Sequence, residues 1–120
     1  MNHEISLQQA IDMTTRYRQN RETILKPEYQ NRNIIAYSET FDKAAVEKLL
    51  SETGAVGMRI YYGMDDTDKI HAILVGVNDK NEDILPASAA SLTEGDEDPL
   101  ILEEGQRCPE FCPPPSPLNP

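Results

Sequence analysis

The last fourteen residues, Arg107 to Pro120, hold both cysteines of the chain and six of its nine prolines. Proline lacks the backbone N–H that helices and sheet ladders need, so this stretch builds neither a helix nor a central strand. Regular structure must come from the residues upstream. Charge divides the chain in the same sense. Residues 81–120 carry nine acids against Arg107 alone, whereas residues 1–80 carry twelve acids and ten bases, so the net charge of -10 belongs mostly to the C-terminal third.

At 120 residues, with 38% hydrophobic residues and no Trp, the chain suits one small domain with a limited core. Acid excess without clustered Lys and Arg argues against nucleic-acid binding and against anionic membranes. No apolar run approaches the ~20 residues of a membrane span. The start, Met1-Asn2-His3-Glu4-Ile5-Ser6, has neither the basic nor the apolar part of a signal peptide, so the expected location is the cytoplasm.

Ser6 followed by Gln9 is a capping box, and Leu7, Ala10, Ile11, Thr14 and Tyr17 recur at helical spacing, which predicts a helix from Leu7 to about Arg21. Its second half is basic (Arg16, Arg18, Arg21, then Lys26 and Arg32), which suits the helix macrodipole and also offers a patch opposite in sign to the acidic tail. Asn33 to Tyr37 reads as a short strand or an extended approach to a second helix. Ser38 and Thr40 are candidate caps for that helix, Phe41, Ala44, Ala45 and Leu49 mark its apolar face, and Gly54 is its expected stop. Residues 55–63 alternate, with Val56, Met58, Ile60 and Tyr62 on one face. Residues 69–77 form a second strand, apolar on both faces and hence central, and residues 83–85 a short third. Asp65 to Asp68 and Asn78 to Asn81 are the turns, too short for anything but antiparallel pairing. The expected fold is α+β, two helices packed on a small antiparallel sheet. The expected division is residues 1–86 as the domain and 87–120 as an acidic, Cys/Pro-rich arm.

Candidate chemistry concentrates in that arm. Cys108-x-x-x-Cys112 has neither redox-motif nor zinc-finger spacing. The favoured reading is a pair of reduced thiols packed with Phe111 and Leu118; a local disulfide is the runner-up, and a metal, haem or redox site is the functional alternative. Pro113-Pro114-Pro115-Ser116-Pro117 predicts a polyproline II rod, with Pro114 and Pro117 in a groove-binding pattern. Leu100-Ile101-Leu102 reads either as a strand that docks on the sheet or as a recognition segment. Asp79-x-Asn81-x-Asp83 opens like a calcium loop, but Ile84 stands where Gly is required and Ala90 where the closing Glu is required, so it is a turn. His71 is the one histidine within the expected core, and reads as a hydrogen-bonded structural residue rather than a base. Neither catalytic residues nor a cofactor are expected.

The segment Arg59-Ile60-Tyr61-Tyr62-Gly63-Met64, with Arg107-Cys108-Pro109 and Cys112-Pro113-Pro114-Pro115-Ser116-Pro117-Leu118, resembles a group of short bacterial proteins of unassigned function. They share an IYYGM strand and a CPPPSPL-type tail. The resemblance runs from the Ser6-Leu7-Gln8-Gln9-Ala10 helix start to the tail and implies a self-contained protein; no activity, ligand or site residue comes with it. Because the acids, cysteines and prolines are concentrated where no core can form, the expected function is that of an interaction or adaptor protein working through the arm. Leu100, Ile101, Leu102, Phe111, Pro114 and Pro117 would bind a protein partner or the chain's own surface, and a homo-oligomer is compatible with the charge pattern.

Overall fold

A computed structural model describes residues 2–87 and 99–120. Most of the expected acidic loop, Glu94 to Asp98, lies outside the described residues. The architecture is α+β, as the sequence predicts: α1 (Leu7–Asn20), β1 (Ser38–Thr40), α2 (Lys43–Leu50), β2 (Gly57–Met64), β3 (Ile70–Val77), β4 (Asp83–Ile84), β5 (Ile101–Leu102) and β6 (Gln106–Cys108). Strands β2 to β5 form one antiparallel sheet, and β1 with β6 a two-stranded one. The chain divides into two compact units, one made of the residues up to Ser38 with Arg107–Pro120, the other of Glu39–Gln106.

In the first unit, α1 begins at the expected capping box: Gln9 N–H donates to Ser6 Oγ at 3.0 Å, and Ser6 N–H to Gln9 Oε1 at 2.8 Å. No α1 residue is fully buried, and its Ala10, Ile11, Thr14 and Tyr17 face is half-buried. Side-chain donors fix the segment that follows it. Arg107 Nη2 donates to the carbonyls of Asn33 and Ile34 at 3.0 Å each, Arg21 Nε to Ile35 O at 2.6 Å, and the Tyr17 hydroxyl to Ala36 O. Tyr37 N–H donates to Cys108 O at 2.7 Å. Side chains thus satisfy the backbone where a short strand or an extended approach was expected, and Asn33–Tyr37 is irregular. The strand begins at Ser38 instead, so Ser38 and Thr40 lie in β1; Asp42 is the N-cap of α2, without a side-chain cap bond, and Ser51 ends that helix.

In the second unit, β2 pairs with β3 from Gly57↔Val77 to Met64↔Ile70. Along the other edge of β3, Gly76 and Val77 pair with β4 and Leu74 and Val75 with β5, so β3 is central as expected. Leu100-Ile101-Leu102 therefore takes the docking-strand alternative. Leu49 of α2 and Leu74, Val75 and Val77 of β3 are buried and form this unit's core. Aspartate and asparagine shape the turns: Asp65 Oδ1 accepts from Thr67 N–H and Lys69 N–H, and Asn78 Oδ1 from Lys80 N–H and Glu82 N–H.

Candidate interaction edge

The outer edge of β2 joins two properties in the same residues. Asp65 N–H donates to Lys69 O at 3.0 Å, a pair that extends the β2–β3 register by one step. Antiparallel ladders alternate, so the odd-numbered residues of β2 exchange bonds with β3. Met58, Ile60, Tyr62 and Met64 turn their N–H and C=O outward. Among the described residues no strand pairs with that edge. Strand alternation also puts the side chains of these four residues on one face. Their exposure runs from 40% at Met58 to 76% at Tyr62. Contiguous exposed apolar surface on an unpaired strand is what soluble proteins usually avoid, with edge lysines, prolines or bulges. From Gly57 to Met64 there is no Pro and one charged residue, Arg59.

Arg59 is engaged on the opposite face. Its guanidinium pairs with Asp83 and donates to the Asn81 carbonyl at 3.2 Å, while the Tyr61 hydroxyl donates to the other Asp83 oxygen. The Tyr61 hydrogen bond, followed by Arg59, holds the Asp83 carboxyl below its ordinary value, and the same bond raises the Tyr61 phenol. This network ties β2 to the β3–β4 turn and leaves the other face of β2 uncharged.

A second feature of this unit is a pocket of about 600 Å³ lined by Asp65, His71, Glu103 and Glu104 among others. Asp65 Oδ2 lies 2.7 Å from His71 Nε2, and Glu103 Oε1 lies 3.1 Å from Nδ1. The second contact lacks hydrogen-bond alignment, leaving Nδ1 buried without such a bond. The Thr67 hydroxyl, then His71, hold the Asp65 carboxyl far below the usual carboxylate range. With a carboxylate beside each nitrogen, His71 clips the β2–β3 turn to the residue following β5. The pocket lining contains no Ser, Thr, Cys or Lys to serve as a nucleophile. Among the described residues no group of three or more His, Cys, Asp or Glu is placed to hold a metal ion, and no helix is long and apolar enough to cross a membrane.

The tail departs from expectation in two ways. Cys108 and Cys112 are joined as a disulfide, with Cα atoms 4.4 Å apart, rather than being reduced thiols packed with Phe111 and Leu118. Cys108 is buried, whereas Cys112, Phe111 and Leu118 are exposed. The proline segment is not an extended rod either. Ser116 and Asn119 exchange backbone hydrogen bonds at 3.0 and 2.9 Å, and Asn119 Nδ2 donates to Pro113 O, which curls the chain back. Arg18 Nη2 fastens this curl by donating to Leu118 O at 2.9 Å and Asn119 Oδ1 at 2.7 Å.

The residues expected to bind a partner fall in different units. Leu100, Ile101 and Leu102 belong to the unit of Glu39–Gln106, and Phe111, Pro114 and Pro117 to the other. Leu100 donates its N–H to Glu52, Leu102 is half-buried, and Ile101 is half-exposed. Phe111, Pro114 and Pro117 are exposed. The edge residues Met58, Ile60, Tyr62 and Met64 went unmarked as a site, although the alternation that reveals them is plain in the sequence. What alternation cannot tell is which edge of the sheet the returning chain covers. No protein-family model, curated protein or solved structure matches the chain.

Proposed function

We propose that the protein is an interaction module that works by strand addition along the outer edge of β2. One observation carries this reading: Met58, Ile60, Tyr62 and Met64 offer outward backbone groups and exposed apolar side chains together. A partner strand would gain ladder hydrogen bonds from the first and pockets for alternate side chains from the second. The arm expected to do this work is a weaker candidate, because Ile101 and Leu102 already pair with β3 and Arg18 holds the tail's curl. The two assignments separate by capture of proteins from cell extract on purified chain. Ile60→Lys with Tyr62→Lys should lose bound protein while circular dichroism stays unchanged. Phe111→Ala with Pro114→Ala and Pro117→Ala should keep it. The opposite pattern would return the function to the arm.

The closed Cys108–Cys112 pair, with Cys112 exposed, supports a second reading in which the tail is redox-responsive. It also favours an oxidising compartment over the cytoplasm. Thiol titration of protein purified without reductant tests this; two titratable thiols per chain would end it.

A further inference from the structure

We infer that the strand added to β2 is β2 of a second copy, running antiparallel about a two-fold axis at Tyr61. This rests on the reading of β2 as the working edge and names its partner. An antiparallel pair of identical strands is isologous, so one patch serves both copies. The outward-bonding residues are even-numbered, so they must pair even with even. The register that uses the whole strand sets Met58 against Met64 and Ile60 against Tyr62 of the second copy. The two apolar stripes then lie side by side on one face, and Tyr61 meets its own counterpart on the other.

Charge sorts the registers. A two-fold at Arg59 would place the two guanidinium groups opposite each other, at a cost. With the axis at Tyr61, Arg59 falls opposite Gly63, and Asp65 and Asp66 fall opposite Gly57 and Val56 of the second copy. No like charges face each other across the pair. Area limits the strength of the pair. Met58, Ile60, Tyr62 and Met64 at their observed exposures present roughly 450 Å² per copy, and side-by-side pairing covers only the flank of that surface, so the buried area falls below the roughly 1,000 Å² of stable specific interfaces. The dimer is therefore weak and reversible. The net charge of -10 on each chain opposes it at long range, so added salt strengthens it.

Sedimentation equilibrium from micromolar to sub-millimolar chain tests this on the full-length protein. A monomer–dimer equilibrium that tightens with salt is expected. Ile60→Lys and, separately, Tyr62→Lys should each weaken it by ~10-fold, since either removes the apolar Ile60–Tyr62 cross-strand contact, which the two-fold makes twice. Register is read by cross-linking. Tyr61→Cys should give a covalent dimer on mild oxidation, because cross-strand residues facing each other fall within disulfide reach. Thr53→Cys, outside the strand, should not. A chain that stays monomeric throughout overturns the inference, as does a dimer that both lysine variants leave intact or one that cross-links as readily through Thr53→Cys. If the chain is monomeric but the lysine variants still lose captured protein, only self-pairing falls. If capture is also unaffected, the edge reading falls with it.

Discussion

Arg21 shows how single side chains replace secondary structure in the unit containing α1. It is 5% exposed, and such burial of a guanidinium is tolerated only with partners. It donates to Ile35 O, to Asn33 Oδ1 and to Glu22 Oε2, and lies over the Tyr37 ring at 4.2 Å, as Arg18 does at 4.4 Å. Arg21→Ala should lower unfolding free energy by about 3 kcal/mol, with only partial recovery in Arg21→Lys, which lacks the planar fork. Urea denaturation measures this, and a loss under ~0.5 kcal/mol, typical of an exposed residue, would refute it. None of this was legible in the sequence, where a basic helix end already suits the macrodipole. Asp65 offers a test by pH. Its carboxyl is held far below the ordinary range, first by the Thr67 hydroxyl and then by His71, so its folded pKa lies below the unfolded value of about 4. Its contribution to stability is present above that pH and is lost as pH falls toward the folded value. The stability gap between the native chain and Asp65→Asn should therefore narrow progressively below pH about 4. A gap that widens in acid would contradict this.

At the scale of elements, the legible parts are those whose determinants are local. The Ser6–Gln9 capping box, the alternation of β2, the two-faced β3 and the Asx turns at Asp65 and Asn78 all lie within a few residues of what they specify. Asn33–Tyr37 was illegible because its carbonyls are satisfied from Tyr17, Arg21 and Arg107, the last more than 70 residues away. The curl of the tail was illegible for the same reason, since Arg18 fastens it from α1. The disulfide links residues four apart. Closing so short a loop removes unfolded-state entropy worth about 2 kcal/mol. Cys112→Ser should thus destabilise the protein by about that amount, and a reducing agent should lower the stability of the native chain to match. Equal stability of the native chain with and without reductant would show that the bridge does not constrain it.

For the molecule as a whole, few residues carry each unit. Among the described residues, Ile34 and Cys108 are the buried apolar residues of one, and Leu49, Leu74, Val75 and Val77 those of the other. Cores this small need staples, which the disulfide and the arginine network provide in the first unit. In the second unit the returning chain places β4 and β5 along one edge of β3 and leaves the outer edge of β2 uncovered among the described residues. That asymmetry arises from topology rather than local pattern, which is why the sequence pointed to the Cys/Pro tail and passed over the strand. The most direct test is amide hydrogen exchange along β2 as a function of chain concentration. The amides of Met58, Ile60, Tyr62 and Met64 should exchange freely in dilute solution and slow as concentration rises, while those of Arg59, Tyr61 and Gly63, facing β3, stay slow throughout. Exchange of the even-numbered amides that does not depend on concentration would contradict an open, self-pairing edge.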